Sequence, residues 1–258
     1  MIVERQGQAG DAGPRRAVCR FRHRLLTIAT TLGCLGSLAL AIDLPVARWF
    51  KGHRPPSEIN RFLNFSEAFA HGTGVAVILL VATALDPSLT AGWRAPRRCP
   101  SRSWSMLGER VRRTELCRVI AAAYGGGLVV DVIKAVVDRV RPRAADLQGT
   151  VSALATFSEQ AATWAREQGA TSASDFNSFP SGHSATAAGL AAALAWKYPR
   201  GAWVFAALAA AGAAQRVVSL AHYPSDACLG AAIGLATAAM FLCERSRAET
   251  PPGDGFSG

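Results

Sequence analysis

Three short polar clusters hold the residues of this 258-residue chain that are best suited to chemistry. They occupy residues 134–142, 179–183 and 216–226, and each lies at the edge of an apolar stretch. Between them they supply cations, two histidines, a carboxylate and a Ser-Gly turn. Such groups can neutralise a phosphate, hold it in line with a nucleophile and break its ester bond. The clusters therefore predict phosphoryl chemistry at a membrane surface.

Lys134, Arg141 and Arg216 are the candidate phosphate clamps. An arginine fork matches the phosphate oxygens, whereas a lysine acts as a point charge. Seven residues separate Lys134 from Arg141, so a continuous helix would bring both side chains to one site. The alternative is that these two residues snorkel at a membrane interface, with Asp131 as an ion-pair partner of Lys134.

Ser181, Gly182 and His183 begin a predicted helix. The N–H groups at a helix start favour anions, glycine lets the backbone approach closely, and the Ser181 hydroxyl adds a donor. His183 would then stand beside the leaving oxygen as a general acid. The alternative is an ordinary N-cap followed by an interfacial histidine.

His222 and Asp226 are four residues apart, which makes them neighbours on a helix or in a turn that enters one. A carboxylate bonded to one imidazole nitrogen fixes the tautomer and leaves the other nitrogen free to attack. The alternative is that Asp226 only caps a helix that begins near Pro224. Arg216 favours the catalytic interpretation, because a cation at a membrane edge needs an anion.

Together the clusters resemble the signature of the type-2 phosphatidic acid phosphatase superfamily, KxxxxxxRP, PSGH and SRxxxxxHxxxD. The resemblance covers about residues 115–245 and departs from the pattern at Gln215. It implies hydrolysis of a phosphoric monoester or diphosphate without a metal or another cofactor. It makes His183 the acid, His222 the nucleophile and Asp226 the partner that orients His222. The residues that it assigns to phosphate binding are Lys134, Arg141, Ser181, Gly182 and Arg216.

Six apolar blocks must position these clusters. Half of all residues are hydrophobic, and the charges lie between the blocks, which favours a membrane protein over a soluble core. The predicted fold is an all-α integral membrane bundle of about six transmembrane helices, forming one domain over residues 25–243. The predicted helices are 25–42, 65–85, 116–137, 182–196, 201–220 and 227–243.

The distribution of basic residues predicts the orientation. With the N-terminus inside, the inside segments are 1–24, 86–113, 197–200 and 244–258. They hold 17 Lys and Arg residues, against 10 on the outside when Lys134 and Arg216 at the outer ends of their helices are included, as the positive-inside rule requires. This orientation makes both terminal tails cytoplasmic. It places all three clusters on the outer face, which the resemblance suggests is the periplasmic side of a bacterial inner membrane.

Several polar residues and one long loop lie outside the three clusters. Residues 143–179 form the longest loop between predicted helices and are expected to contribute to substrate selectivity. Glu67 and His71 share a helix face near the outer side, either as a structural ion pair or as part of a headgroup pocket. Asp43 and His53 are expected to cap or flank a loop. The six cysteines form no CxxC pair and no zinc spacing, so no disulfide framework is expected.

The predicted function is a membrane phosphatase that holds a lipid phosphate on its cations while the lipid tail stays in the bilayer. Two alternatives remain: a transporter or scaffold that binds lipid phosphates without hydrolysis, and a soluble acid phosphatase or vanadium haloperoxidase with similar motifs. The net charge of +10 does not indicate a nucleic-acid partner, because the arginines fall in loops and no aromatic platform accompanies them.

Overall fold

The computed structural model describes residues 12–90 and 114–242, which form nine α-helices, short 3-10 turns and one isolated β-bridge. The helices are α1 (Ala12–Ala39), α2 (Asp43–Gly52), α3 (Ser57–Ala70), α4 (Gly72–Leu85), α5 (Glu115–Lys134), α6 (Glu159–Glu167), α7 (Gly182–Lys197), α8 (Ala202–Val218) and α9 (Pro224–Phe241). The all-α prediction is therefore confirmed. The predicted C-terminal tail and most of the arginine-rich inner loop lie outside the described residues.

Helix α7 is the centre of the bundle and packs against α5, α8 and α9. All of its residues from 184 to 194 are buried. This is possible because the helix is rich in alanine and glycine, which let neighbouring backbones come close. At Gly189, for example, a Cβ would lie only 2.2 Å from the carbonyl oxygen of Ala122 in α5. Around this centre, α1 packs on α9 and α3 packs on α8.

Three helical segments of the described residues are long and apolar enough to cross a membrane: Glu115–Lys134, Pro199–Val218 and Pro224–Phe241. The number rises to five if each of two bent helix pairs is one span. The central helix α7 has 16 residues and is enclosed by its neighbours. The described structure is thus an all-α bundle with three to five candidate spans, and the predicted count of six is not confirmed.

One predicted helix is broken, and another ends early. The prediction of one helix over 65–85 is wrong, because α3 and α4 meet at a bend of 71° at His71. His71 is extended, and its ring accepts a hydrogen bond from the N–H of Thr73, so it ends one helix and caps the next. Helix α1 ends at Ala39, three residues before the predicted end at residue 42, and α2 turns away from it by 74°.

The chain after α5 also departs from the prediction. The helix ends at Lys134, so the expected continuation towards Arg141 is wrong. Residues 135–142 instead run as an irregular segment, in which the N–H groups of Arg139 and Arg141 donate to the carbonyls of Phe176 and Asp175. These bonds tie the segment to the end of the 143–179 loop. Lys134 and Arg141 therefore approach the same region from a helix end and a loop.

The 143–179 loop is more structured than its polar composition predicts. It contains α6 and a 3-10 turn at Ala153–Phe157. Its apolar side chains join a second hydrophobic core that is separate from the main bundle core. That core includes Leu147 and Ala165 of the loop, Leu44 of α2 and Tyr223 before α9. The loop is thus packed over the same end of the bundle that carries the three clusters.

Candidate active site

The three clusters meet at one end of the bundle. Lys134 ends α5, His183 lies in the first turn of α7, and Arg216 lies in the last turn of α8. Because these helices pack on one another through α7, their ends are neighbours. The groups that act electrostatically on His183 accordingly include Arg216, His222 and Lys134. We call this region the motif end.

Ser181 caps α7 and is fully buried. Its Oγ accepts hydrogen bonds from the N–H of Ser184 at 3.3 Å and from the hydroxyl of Ser184 at 3.0 Å. Its own N–H donates to the carbonyl of Asp226 at 3.0 Å. Helix α9 presses directly on this turn, since a Cβ at Gly230 would lie 2.2 Å from the Ser181 carbonyl oxygen. The first turn of α7 therefore presents its N–H groups at the motif end.

Some N–H groups of the cations at the motif end have no hydrogen-bond partner among the described residues. Arg141 and Arg216 each have a buried Nε without a hydrogen-bond partner among the described residues. Burial, followed by the charges of Arg143 and Arg216, lowers the pKa of Arg141. Lys134 is partly buried and feels the charge of Arg141. Crowded, half-desolvated cations with spare N–H groups favour a multiply charged oxyanion such as phosphate.

His222 is almost completely buried in the turn between α8 and α9. Its Nδ1 lies 2.6 Å from the carbonyl oxygen of Ser178. A carbonyl can only accept, so Nδ1 carries the proton and Nε2 has the free lone pair. Burial lowers the pKa of His222, Asp226 opposes the shift, and Arg141 and Lys134 reinforce it. His222 is therefore neutral at pH 7, as a nitrogen nucleophile must be.

Asp226 contacts His222 less directly than the sequence suggests. Its Oδ2 lies 3.9 Å from Nδ1 of His222, beyond hydrogen-bond distance. That oxygen instead accepts from the hydroxyl of Ser178 at 2.6 Å and from the N–H of Tyr223 at 2.9 Å. The second bond is a helix cap, so the capping alternative is part of the structure. Ser178 thus connects the two residues, because its hydroxyl donates to Asp226 and its carbonyl accepts from His222.

Arg139 and Asp43 are components of this region that the sequence analysis did not assign to it. Arg139 is 1% exposed, and its two terminal nitrogens bond Asp43 at 2.7 Å and Asp226 at 2.5 Å. The guanidinium also lies over the rings of Phe157 and Tyr223. Asp43 flanks the turn at residues 40–42, as predicted, but it is the fully buried first residue of α2. A carboxylate directly after an apolar block, with no cation near it in sequence, was the available signal.

Glu67 and His71 reach the motif end from the bend between α3 and α4. Glu67 forms an ion pair with Arg216 at 2.6 Å, so its partner is a predicted clamp rather than His71. The ring of His71 lies 5.5 Å from the ring of His183, centroid to centroid. Both residues therefore border the predicted site. Within the described ranges, no group of three or more His, Cys, Asp or Glu side chains is placed to hold a metal ion.

Comparison with known families identifies the class of this chain. The PAP2 superfamily profile matches residues 115–248, a segment that contains all three clusters. The chain belongs to the PAP2 superfamily, as the resemblance to type-2 phosphatidic acid phosphatases predicts.

Two curated relatives narrow the comparison. The chain is 37% identical over 108 residues to proteins named lipid A 1-phosphatase from Rhizobium johnstonii and Rhizobium etli. The match covers 42% of this chain, and 38% and 40% of the two relatives. The chain therefore spans less than half of the length of either relative. No solved structure matches the chain.

Proposed function

We propose that this protein is a membrane phosphatase that hydrolyses a lipid phosphate or diphosphate through a phosphohistidine intermediate. The observation that carries the proposal is the pairing of a buried, neutral His222, whose Nε2 is free, with unsatisfied guanidinium groups beside it. Membership of the PAP2 superfamily supports a phosphatase, and the names of the two relatives favour lipid A as the first substrate to test.

The phosphate is bound before any bond changes. Arg141 and Arg216 offer N–H groups to its oxygens, and Lys134 adds a point charge. The N–H groups at the start of α7, from Gly182 and His183, complete the cradle. The charge of the phosphate is then balanced by groups that are in place before the substrate arrives, so little reorganisation accompanies the reaction.

Two displacements follow. In the first, the Nε2 lone pair of His222 forms a bond to phosphorus while the ester P–O bond breaks. His183, which is protonated in the complex because the bound phosphate offsets the neighbouring cations, donates its proton to the leaving oxygen. In the second, His183 removes a proton from a water molecule whose oxygen bonds to phosphorus. The P–N bond breaks in that step, and its electron pair returns to His222. The products are the dephosphorylated lipid and inorganic phosphate, and both histidines recover their starting forms.

The membrane arrangement belongs to the same proposal. We infer six spans, with α7 enclosed as the central one, cytoplasmic termini and the motif end at the outer face. The loop residue Val151, which is 95% exposed, offers a test of this orientation. In a variant without native cysteines, Val151→Cys should react with an impermeant maleimide added to intact spheroplasts. Labelling only after lysis would show that the protein has the opposite orientation.

The function is tested by phosphate release from the detergent-purified protein in EDTA. Lipid A, phosphatidic acid and a polyprenyl diphosphate are the substrates, and His222→Ala is compared with His53→Ala, whose ring stacks on exposed Trp49 away from the motifs. Wild type and His53→Ala should release phosphate, whereas His222→Ala should not. Lipid binding without release by wild type would indicate the transporter or scaffold instead, and activity that required no detergent would indicate a soluble enzyme.

A further inference from the structure

Behind His222 lies a buried chain of three charged side chains, Asp43, Arg139 and Asp226. The exposed fraction of each charged side chain is 0%. Arg139 stands between the carboxylates, bonded to Asp43 through one terminal nitrogen and to Asp226 through the other. Burying three charges is costly, so selection for stability alone would favour an apolar cluster at least as well.

The chain of contacts is tightly held at both ends. Asp43 also accepts from the N–H and hydroxyl of Ser225, the residue immediately before Asp226. The Nε of Arg139 donates to Thr156 Oγ1 at 2.9 Å. Every hydrogen-bonding edge of the Arg139 guanidinium is therefore engaged. This cation cannot turn towards a substrate phosphate, which distinguishes it from Arg141 and Arg216.

The same contacts continue to the nucleophile. Asp226 accepts from the Ser178 hydroxyl, and the Ser178 carbonyl accepts from Nδ1 of His222. Displacing Arg139 would therefore displace Asp226, then Ser178, and finally the imidazole ring. The two carboxylates also outnumber the single guanidinium, which leaves one negative charge beside a ring that becomes positive when it bonds phosphorus.

We propose that Asp43 and Arg139 are positioning residues, which hold Asp226 and Ser178 so that His222 keeps its Nε2 directed at the phosphate. The inference rests on the proposed function, in which His222 is the nucleophile. It gives the corner between α1 and α2, which lies outside the segment matched by the family, a role in the reaction.

The test compares Asp43→Asn with Glu115→Gln. Both substitutions remove one carboxylate charge from an ion pair, but Glu115 pairs with Lys197 at the other end of α5. Asp43→Asn should lower kcat on the order of 10- to 100-fold per folded protein, because the ring is misplaced, while KM changes by less than about 2-fold. Glu115→Gln should keep the kcat of wild type.

A pH profile separates positioning from a loss of folded protein. The charged groups that act on His222 are Asp226, Arg141, Lys134 and His183. Asp43→Asn removes a negative charge behind the ring, which disfavours the protonated form of His222. The acid limb of the kcat/KM profile should therefore move to lower pH in this variant. An unchanged limb together with a wild-type kcat would overturn the inference while leaving the proposed function intact.

Thr156→Val provides a gentler variant if Asp43→Asn does not fold. It keeps the shape of the side chain but removes the acceptor for Nε of Arg139, together with the hydrogen bond that the same hydroxyl donates to the carbonyl of Ala153. A kcat reduced about 3- to 10-fold would support positioning, and a wild-type kcat would overturn it. If wild type and Glu115→Gln both fail to release phosphate, the proposed function is wrong and this inference falls with it.

Discussion

The two ends of the helical bundle both carry clusters of charged residues, but at only one end do the described residues supply a partner for every buried polar side-chain atom of the cluster. At the end opposite the motifs, Lys197 pairs with Glu115 and donates to Ser88, and Asp86 accepts from Tyr198. Among these side chains there are two carboxylates and one cation, and none of their buried nitrogens or oxygens lacks a partner among the described residues.

The motif end has the reverse balance. Of the three predicted clamps, Lys134, Arg141 and Arg216, only Arg216 forms an ion pair within the described residues, with Glu67. The Nε groups of Arg141 and Arg216 have no hydrogen-bond partner there. The neighbouring Arg139 shows that this region can give every nitrogen of an arginine a hydrogen-bond partner. The comparison teaches that the balance of charges and hydrogen bonds, rather than the presence of an ionic cluster, distinguishes a binding site from a structural one.

Replacing the cation at each end while keeping its charge should give the largest contrast. Arg216→Lys loses the planar fork and should lower kcat/KM on the order of 100-fold. Lys197→Arg keeps the positive charge of a structural ion pair and should leave kcat/KM within about 2-fold of wild type. Steady-state phosphate release measures kcat/KM for both variants. If Arg216→Lys kept the kcat/KM of wild type, the bidentate role of Arg216 would be contradicted.

A glycine substitution tests how closely the motif end depends on backbone contact. Gly230→Ala would force its Cβ against the Ser181 carbonyl oxygen and should destabilise the protein by about 1–3 kcal/mol, with loss of activity. Gly33→Ala is the matched control, because a Cβ there has nothing within 4 Å. Thermal unfolding should show a lower Tm for the first variant and an equal or higher Tm for the second. Equal Tm values and activities would contradict the close packing of α9 on the turn at Ser181.

Removing the carboxylate partner of Arg216 should have a smaller effect. Glu67→Gln frees Arg216 from a partly exposed ion pair, so KM should fall about 2- to 5-fold with little change in kcat. Glu58→Gln, which removes half of an exposed ion pair with Arg61, should leave KM unchanged. A rise in KM in Glu67→Gln would instead show that Glu67 orients Arg216 for binding.

Mild acid should distinguish the two ends by their stability. Burial lowers the pKa of His222 below its ordinary value of 6.5, so protons bind the unfolded chain more readily and stability falls as pH drops below 6.5. Hydrogen bonding by Ser88 lowers the pKa of Asp86, so its contribution is lost only at a pH below 3.8. Between pH 6.5 and about 5, wild type should lose more stability than His222→Gln in denaturant titrations. Parallel losses would contradict a neutral, buried His222.

The proposed chemistry of this site could be predicted from the sequence, because the residues that we propose to touch phosphate lie in three short clusters with readable spacing. Helix boundaries were harder to predict from the sequence. Lys134 ends its helix, and His71 separates two helices by capping the second, and hydropathy reports neither feature. The link between Asp43 and Arg139 joins residues 96 apart in sequence. No periodicity encodes such a pairing, and only the folded chain brings the two together.

The most direct test of the account is to trap the covalent intermediate on His222. Purified protein mixed with a phosphorus-32-labelled lipid phosphate and rapidly quenched in alkali should carry label that is stable to base and labile to acid. Peptide mapping should locate that label at His222, and His222→Ala should carry none. Full phosphate release by wild type with no labelled protein at any quench time, or label at another residue, would contradict the phosphohistidine mechanism.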